Sequence, residues 1–452
     1  MPETIKLKKG LDIKLEGEAG GEDPRPVPCA LHALKPTDFR ALVPKLEVKA
    51  GDRVRAGDPL FSNKHNPAVK FTAPVSGTVE EIRRGEKRKI LAVVVKADER
   101  ITYKEFATPA PGEEAPGERI IELLLESGLW PLIKQRPYDI IADPATRPKA
   151  IFVTAFDSSP LAPDYKILLK NERPALRAGL NALSKLTGGT LHLNARAGET
   201  PLPADDLPRN VKINHFAGPH PAGNVGVQIH HLDPINKGET AWVVNLPDVA
   251  LIGRFLSSGR VDLRQLVALA GSEVTAPAYL STITGARVGD IVKGRLRDRE
   301  RQRVISGNVL TGERVTEDSF LGFYHRLITV IPEGDRPEFL GWATPGLEKF
   351  SMSRAFPSFL FPNKRYRLNA NYHGEQRAFV MSGQYEKVLP MDILPVYLLK
   401  AILAGDIEKM EQLGILEVAP EDLALCEFAC TSKIPVQEII ASGIERMMKE
   451  LT

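Results

Sequence analysis

The sequence predicts a mixed α/β protein of several domains, and three patterns support this. Residues 1–100 alternate apolar and polar side chains around Gly-Asp turns, which is typical of β hairpins. Residues 150–258 alternate strand-like and helix-like segments, which favours a domain built on a mostly parallel sheet. Residues 390–452 show short stretches of helical periodicity, so we expect a helical C-terminal domain.

Length and composition narrow the class of protein. The chain has 452 residues, enough for about three domains with separate cores. Its 60 basic and 57 acidic residues nearly balance, which argues against a nucleic-acid binder. Its start, MPETIKLKKG, lacks the apolar core of a signal peptide, and no stretch approaches the roughly 20 apolar residues that span a bilayer. We therefore expect any membrane contact to be made through partners.

The N-terminal strands have the pattern of a carrier domain. The stretch VKAGDRVRAGDPLF at residues 48–61 and the stretch with APVSGTV at residues 69–82 resemble the hairpins of biotinyl and lipoyl carrier domains. Those carriers present a modifiable lysine at a hairpin tip, often within Met-Lys-Met or Asp-Lys-Ala. Lys64 and Lys70 lie in the corresponding region but in neither context. We therefore expect a carrier-like fold without the carrier function.

A strongly basic turn, RRGEKRK, precedes the strand at residues 90–97. Two interpretations are open for this turn. It is a solvated hairpin tip, or it is a surface that docks to an acidic partner or to anionic lipid headgroups. Its cations are Arg83, Arg84, Lys87, Arg88 and Lys89.

Further segments complete the predicted order. Residues 101–117 are rich in Pro, Gly and Glu and are predicted to be a linker. The helix predicted over residues 172–189 should end at Gly188 or Gly189, and Pro247 should lie in the first turn of a later helix. Between residues 260 and 383 the pattern returns to β, including LITVIPEG and EFLGWATPG. The C-terminal helices should break at Gly405, Gly414 and Pro420.

The usual catalytic and cofactor motifs are missing. The sequence contains no G-x-G-x-x-G, no phosphate loop, no G-x-S-x-G and no H-E-x-x-H. Three cysteines, Cys29, Cys426 and Cys430, suit a reducing compartment and are too few for a four-ligand iron–sulfur cluster. Histidines cluster between His215 and His231. The neighbours His230 and His231 point to different faces, and His220 lies on a Pro-Gly loop. Structural roles are therefore favoured over a metal site.

One aromatic segment suggests a ligand. Trp130, Arg136 and Tyr138 lie close together in the sequence, and an aromatic pair with an arginine can hold a flat, carbonyl-bearing ring. The alternative is a packing cluster at the end of a helix.

The order of many short strings identifies a family. The chain resembles the A subunit of the sodium-translocating NADH:quinone oxidoreductase over nearly its whole length. The strings are IKLKKGLDIKLEGE, NPAVKFTAPVSGTVEEIRRGEKR, SGLW with RPYD, KAIFVTAFDSSPLAP, FAGPHPAGNVGVQIHHLDPIN, RVISGNVLTG, LGFYH, GWATPG, KVLPMDILP and EDLALCEFAC.

The resemblance also explains what is absent. That family is similar to the flavin-binding peripheral subunit of respiratory complex I, which carries a glycine-rich flavin loop and a four-cysteine motif. Here the loop region reads SGLWPLIKQRPYD, and only Cys426 and Cys430 occupy the cysteine region. The resemblance thus implies a retained fold without a flavin, iron–sulfur cluster or metal on this chain.

The implied architecture has six parts. They are a carrier-like barrel-sandwich β domain at 1–100, a linker at 101–117, a Rossmann-like α/β domain at 118–258, a β-grasp domain of the soluble-ligand-binding type at 259–316, a β-rich segment at 317–385 and a helical bundle at 386–452.

The implied role is that of a peripheral subunit on the cytoplasmic face of the bacterial inner membrane. Its partners would be subunits B to F of a six-subunit pump that oxidises NADH, reduces quinone and exports Na⁺, with NADH, flavins and iron–sulfur centres on the other subunits. We expect no catalytic residue here, and no sodium site, because ion translocation needs membrane-spanning segments. Quinone contact is expected near Phe39, Trp130, Arg136 and Tyr138. The alternatives are an autonomous nucleotide- or flavin-binding enzyme and a covalent carrier protein.

Overall fold

The computed structural model describes residues 4–110, 113, 115–297, 301–335, 341 and 346–451. The strands in these ranges fall into four sheets. None of the helices in the same ranges is long and apolar enough to cross a membrane.

The N-terminal strands form two small sheets that face each other, with a shared apolar core. The order in one is β3-β9-β8-β5 and in the other β4-β6-β7. The strands of this region are β1 Thr4–Lys6, β2 Gly20–Pro26, β3 Leu31–Leu34, β4 Pro44–Leu46, β5 Arg53–Val54, β6 Pro59–Asn63, β7 Lys70–Thr72, β8 Gly77–Arg84 and β9 Ile90–Ala97.

The predicted Gly-Asp turns connect these strands. Gly57 adopts a φ of +94°, which favours glycine, and the carboxylate of Asp58 accepts a hydrogen bond from the backbone N–H of Arg55 at 2.8 Å. The two turns direct alternate apolar side chains inward. Phe61 and Phe71 lie opposite each other on β6 and β7, and their rings stack at 4.7 Å.

Strands β1 and β2 pair outside this β domain, although both lie within the predicted unit at 1–100. Strand β1 pairs in parallel with the edge of the α/β sheet, where Thr4 lies opposite His215. Strand β2 pairs with a strand of the third sheet, where Pro26 lies opposite Ser281. Alternating polarity predicts that a segment is a strand, but it does not specify a distant partner.

Residues 103–106 of the predicted linker at 101–117 pack against two domains. Tyr103 forms a bridge to Ala56 of the β domain, and Glu105 forms one to Arg260. The guanidinium of Arg260 also pairs with the Glu105 carboxylate at 2.6 Å. This segment therefore connects the two domains along a defined path.

The α/β domain contains a seven-stranded sheet of order β1-β14-β13-β12-β15-β10-β11. Its four central strands are parallel, and β10 and β11 form an antiparallel edge. The elements are α1 Gly117–Ser127, β10 Lys134–Arg136, β11 Ile140–Ile141, β12 Ala150–Thr154, α2 Tyr165–Leu168, α3 Arg173–Ser184, β13 Thr190–Arg196, β14 Val211–Ala217, α4 Val225–Leu232, β15 Ala241–Asn245 and α5 Leu246–Ser258.

The helix ends test two predictions. Pro247 lies in the first turn of α5, as predicted. The predicted end of α3 at Gly188 or Gly189 is wrong, because the helix stops at Ser184 with Lys185 as its C-cap. Gly189 instead lies against the backbone of Lys149, where a Cβ atom would be 1.9 Å from the carbonyl oxygen. The glycine is needed for the close approach of two chain segments and does not end the helix.

The third sheet has the order β19-β18-β20-β16-β17-β2. Strand β20, which follows the predicted boundary at residue 316, pairs with β16 and β18 of this sheet. The elements are β16 Arg264–Ala270, β17 Ala278–Ile283, α6 Val288–Val292, β18 Gln302–Ser306, β19 Glu313–Val315 and β20 Leu327–Pro332.

The segment after β20 differs from the predicted β-rich segment at 317–385. The strand predicted from EFLGWATPG falls almost entirely outside the described residues, which include only 341 and 346 of it. In the parts of 333–384 that the structure does describe, the only β pairing is the isolated bridge between Tyr366 and Leu15. Loop backbone with local hydrogen bonds occupies this region.

The C-terminal part is helical: α7 Tyr385–Val388, α8 Pro395–Ala404, α9 Ile407–Gln412, α10 Ala424–Ala429 and α11 Val436–Leu451. Gly405 ends α8 in the left-handed conformation, with φ of +75°. Gly414 lies in the turn after α9, with φ of +87°, and Pro420 begins a single helical turn before α10.

A buried ion pair joins the α/β domain to these helices. Arg136 ends strand β10, and its side chain is only 1% exposed. Its guanidinium donates to the Asp422 carboxylate at 3.1 Å and to Glu421 at 2.7 Å. Burial alone would lower the pKa of Arg136, but the nearby carboxylates outweigh it and raise that pKa. Gly226 makes room for the acid, because a Cβ atom there would lie 2.3 Å from an Asp422 carboxylate oxygen.

Replacing this guanidinium should weaken the whole assembly. Arg136→Met keeps most of the side-chain volume but leaves the Asp422 carboxylate buried without its cation, which costs about 3–5 kcal/mol. We expect a clearly lower urea midpoint by circular dichroism. The matched control is Arg119→Met, which removes an exposed partner of Glu122 and should cost about 0–1 kcal/mol. Equal losses in both variants would contradict a structural role for the buried pair.

Candidate functional site

One cleft lies where the β domain, the α/β domain, the third sheet and the last helix meet. We call it the junction cleft. Its volume is about 460 Å³, within the range of small-molecule sites. It is lined by Pro36, Thr37, Asp38, Phe39, Arg40, Ala41, Leu42, Lys89, Lys134, Asp139, Ile140, Ile141, Tyr324, Ala441 and Glu445.

Aromatic rings form one wall of the junction cleft. Phe39 is 4% exposed, and its ring centroid lies 4.5 Å from that of Phe71 and 5.0 Å from that of Phe323. Tyr324 completes the cluster at 5.7 Å from Phe39. Edge-to-face packing of this kind holds the rings in fixed positions. This wall is therefore rigid and apolar.

Charged groups form the opposite wall. The Lys134 ammonium lies 4.4 Å from the centroid of the Tyr324 ring and 3.4 Å from the Asp139 carboxylate. Burial would raise the pKa of Asp139, but the positive charges of Lys134, Arg136 and Arg40 outweigh it and hold that pKa below its usual value. Asp139 is therefore ionised at neutral pH and fixes the position of Lys134.

The Tyr324 phenol is neutral and already bonded. Its hydroxyl donates to the carbonyl oxygen of Pro131 at 2.6 Å, and burial next to Asp139 and other carboxylates raises its pKa far above the usual value. The hydroxyl is therefore engaged, and the ring lies against the Lys134 ammonium and the Phe39 ring. The Nε of Arg40 is buried with no hydrogen-bond partner among the described residues. The cleft thus combines an aromatic wall with three cations, Arg40, Lys89 and Lys134.

Only part of the predicted site lies here. Phe39 lines the junction cleft, as does the hairpin that follows Trp130, but Trp130 itself is fully buried. Its indole N–H donates to the Ala142 carbonyl at 2.7 Å, and its ring packs edge-on against Trp242 at 5.3 Å. The expectation that Trp130 supplies aromatic surface is wrong. The alternative, a packing cluster at the helix end, describes Trp130 correctly.

Arg136 and Tyr138 face away from Trp130. Arg136 is held in the ion pair with Asp422, and the half-buried Tyr138 packs against the C-terminal core. Tyr138 has a φ of +83°, which is strained for a bulky residue. Burial and the charge of Glu411 raise the pKa of its phenol. The three residues therefore do not surround one ring.

Sequence reasoning missed Lys134, Arg40 and Tyr324. Lys134 lies between Trp130 and Tyr138, so the sequence could have indicated it as a residue of the site. Tyr324 lies 190 positions further along, within LGFYH, where nothing in the sequence connects it to Phe39.

A second cavity of about 180 Å³ lies beyond the carboxyl ends of β12 and β15. In parallel sheets this is the usual place for ligands. The charged side chains of its lining are Asp157, Glu421 and Arg326, and Arg326 is already paired with Asp248 at 2.5 Å. Negative charge without an available cation does not suit a nucleotide phosphate. Its histidine His325 is neutral, because burial lowers the pKa to about 4.

The clustered histidines have separate partners. His220 bonds the Ser158 hydroxyl at 3.0 Å, His230 bonds the Glu417 carboxylate at 3.0 Å, and His231 bonds a backbone carbonyl. His215 lies on β14. Across the described ranges, no group of three His, Cys, Asp or Glu side chains is arranged to hold a metal.

The cysteines are free thiols. Cys430 accepts a hydrogen bond from the Tyr385 hydroxyl at 2.9 Å, and burial raises the pKa of the neighbouring Cys426 well above its usual value. Burial also raises the pKa of Cys29. Thiols with raised pKa values are poor nucleophiles and poor metal ligands at neutral pH.

The basic turn connects to the junction cleft. Lys89 is one of its lining residues, while Lys87 and Arg88 are exposed. Arg83 points the other way, with its guanidinium 5.0 Å from the centroid of the Phe320 ring. In the carrier-like hairpin, Lys64 is exposed just after β6, and Lys70 begins β7.

Three family models match consecutive parts of the chain. They are described as the NqrA N-terminal barrel-sandwich hybrid domain, residues 5–98, the NqrA second alpha/beta domain, residues 115–261, and the NQRA C-terminal domain, residues 266–317. The structure is distantly similar to that of an NAD⁺-reducing [NiFe]-hydrogenase in the air-oxidised state. The sequence identity is 14% and the TM-score is 0.39, and the match covers 77% of this chain and 67% of the hydrogenase chain.

Several relatives match end to end. The A subunit of the Na(+)-translocating NADH-quinone reductase of Rhodopirellula baltica is 39% identical, covering 99% of this chain and 98% of its own. The corresponding A subunits of Serratia proteamaculans and Neisseria meningitidis are 39% and 38% identical, and each match covers 99% of this chain and 100% of the relative. The chain therefore belongs to the family of the A subunit of the Na(+)-translocating NADH-quinone reductase.

Proposed function

We propose that this chain is a peripheral subunit, on the cytoplasmic face of the membrane, of a complex that oxidises NADH, reduces quinone and exports Na⁺. The end-to-end identity of 39% to such a subunit carries this proposal. NADH, flavins and iron–sulfur centres would lie on the partner subunits B to F, and this chain would contribute structure and a quinone contact.

The finer fold assignments belong to the same proposal. The central parallel strands follow the order β14-β13-β12-β15, which supports a Rossmann-like α/β domain. In the third sheet, β16 and β17 form a hairpin, and β20 pairs with β16 in parallel, which supports a β-grasp arrangement.

The junction cleft is the proposed quinone contact. A quinone headgroup is flat and apolar, with carbonyl oxygens that accept hydrogen bonds. Phe39, Ile140 and Ile141 in the lining offer apolar contact for such a ring. The Lys134 ammonium is held by Asp139 at 3.4 Å and can donate to a carbonyl oxygen. Residues near Phe39 and along the hairpin after Trp130 thus act together, although Trp130 does not touch the ligand.

Co-purification tests whether the chain belongs to such a complex. The tagged chain, purified from detergent-solubilised native membranes, should bring down several multi-span membrane proteins and a flavin-containing, iron–sulfur NADH dehydrogenase subunit in fixed ratio by mass spectrometry. Recovery of the chain alone from the soluble fraction would contradict membership of the complex and would favour an autonomous enzyme.

Lys134→Met tests the junction cleft. The variant keeps an apolar stem of similar length and removes the donor, so affinity for a short-chain ubiquinone analogue should fall about tenfold, as expected for a hydrogen bond from a charged group. The measurement is titration calorimetry on the full-length chain. The matched control is Lys104→Met, because Lys104 also lies over an aromatic ring, at 4.9 Å from Phe106, but outside the cleft. Unchanged affinity in the Lys134 variant would rule out this contact.

The covalent-carrier alternative predicts a modified lysine. We expect the intact mass of the chain from its native host to equal the mass calculated from the sequence, because Lys64 and Lys70 lack the context of a carrier lysine. A mass excess located by peptide mapping at either lysine would revive the carrier function.

A further inference from the structure

The loop before the C-terminal helices presents three large apolar side chains in a row to solvent. Phe359 is 51% exposed, Leu360 is 62% exposed and Phe361 is 47% exposed. Leu347 adds a fourth at 59%. Single exposed apolar residues are common, but consecutive large ones are not, and they usually mark a contact surface. We call residues 347–367 the aromatic loop.

Hydrogen bonds hold the loop that exposes these apolar side chains. The Ser358 hydroxyl accepts a hydrogen bond from the Ser351 backbone N–H and donates one to the Ser351 carbonyl oxygen, each at 3.2 Å. Tyr366, which is buried, pairs with Leu15, and the Lys14 ammonium donates to the Pro362 carbonyl at 2.7 Å. These bonds anchor both sides of the loop. The apolar tip is therefore held outward by the fold.

The surroundings of the tip are basic. Residues 349–374 contain Lys349, Arg354, Lys364, Arg365 and Arg367, and no Asp or Glu. Three of these cations pair with carboxylates: Lys364 with Glu348 and Arg365 with Glu18, each at 2.6 Å, and Arg367 with Glu273 at 2.8 Å.

Two further cations lie beside the tip. The Arg354 guanidinium lies over the Phe359 ring at 5.4 Å, and Lys14 reaches the loop from the N-terminal segment. Within the described residues, neither has a carboxylate at ion-pair distance. The apolar tip is thus accompanied by uncompensated positive charge.

Helix α8 offers a comparable surface for reference. Leu394 at the N-cap of α8 and Tyr397 and Leu403 within it are each at least 50% exposed. The Lys400 ammonium of the same helix lies 5.7 Å from the centroid of the Phe379 ring. Leu394 and Leu403 lie on opposite sides of the helix, so these side chains are spread around it and do not form one apolar tip. The aromatic loop, by contrast, combines consecutive aromatic side chains with cations on its flanks.

We propose that the aromatic loop contacts the membrane surface directly, with Phe359, Leu360 and Phe361 entering the headgroup region of a bilayer rich in anionic lipid. Phenylalanine and leucine gain free energy on leaving water at this depth, and nearby arginine and lysine are attracted to anionic headgroups. The proposal goes beyond the quinone contact and rests on the proposed place of the chain at a membrane. It gives the chain a lipid contact in addition to its contacts with other subunits.

Vesicle binding by the full-length chain tests the proposal. The chain should float with vesicles of phosphatidylcholine and phosphatidylglycerol in equal parts, and about tenfold less with phosphatidylcholine alone, because the headgroup charge is missing. The triple variant Phe359→Ser, Leu360→Ser, Phe361→Ser should lose about tenfold in binding to the anionic vesicles. Added salt should weaken binding of the native chain.

The matched control is Leu394→Ser, Tyr397→Ser, Leu403→Ser, which removes the same number of exposed apolar side chains from α8. It should bind anionic vesicles like the native chain. Equal losses in both triple variants would indicate nonspecific apolar adhesion and overturn the proposal. So would failure of the native chain to bind anionic vesicles. Circular dichroism melting of all three proteins shows that they are folded.

Loss of the lipid contact can be distinguished from loss of the quinone contact. The loop lies outside the lining of the junction cleft, so the loop variant should bind the ubiquinone analogue with native affinity. If the loop variant leaves protein-free vesicle binding intact but loses binding to native membranes that contain the other subunits, the loop docks on a protein and the lipid contact is wrong.

Discussion

Arg136 lies completely buried where the α/β domain meets the C-terminal helices, and its guanidinium contacts Asp422 and Glu421. An unpaired charge in such a position is costly, so the cation and the acids must stay together as long as the protein is folded. The chain before Arg136 forms strand β10, and the chain after it turns back into β11. The ion pair therefore sets the position of this hairpin relative to the helices.

The shape of the junction cleft follows from that constraint. The hairpin supplies Lys134, Asp139 and two isoleucines, while helix α11 supplies Glu445 on the other side. Phe39, from the β domain, is held by the aromatic cluster that includes Tyr324. No single domain contains the cleft, so its geometry depends on how the domains are joined.

The N-terminal segment joins the domains in a second way. Strand β1 extends the α/β sheet, and strand β2 extends the third sheet, before the chain enters the β domain. The same segment reaches the aromatic loop through Lys14 and Leu15. Because edge strands share hydrogen bonds with their sheets, separating the domains would expose several backbone groups at once. The quinone contact and the lipid contact proposed here would therefore be held at fixed positions by the same framework.

The sequence by itself determined where several of the strands and helices lie. Polarity alternation around Gly51 and Gly57 was enough to predict the carrier-like hairpins, and Pro247 was enough to place a helix start, because both depend on local backbone geometry. The ordered family strings were enough to identify the family. Sequence reasoning also found the region of the cleft, through Phe39 and the stretch that follows Trp130.

Only the tertiary structure decided which residues meet. It placed Trp130 in the core, Arg136 in a buried ion pair and Tyr324 beside Phe39. It also placed β1 and β2 in two sheets whose other strands come from later parts of the chain. The physical reason is that strand pairing and side-chain packing act between segments far apart in the chain, whereas periodicity and turn signals report only on neighbouring residues.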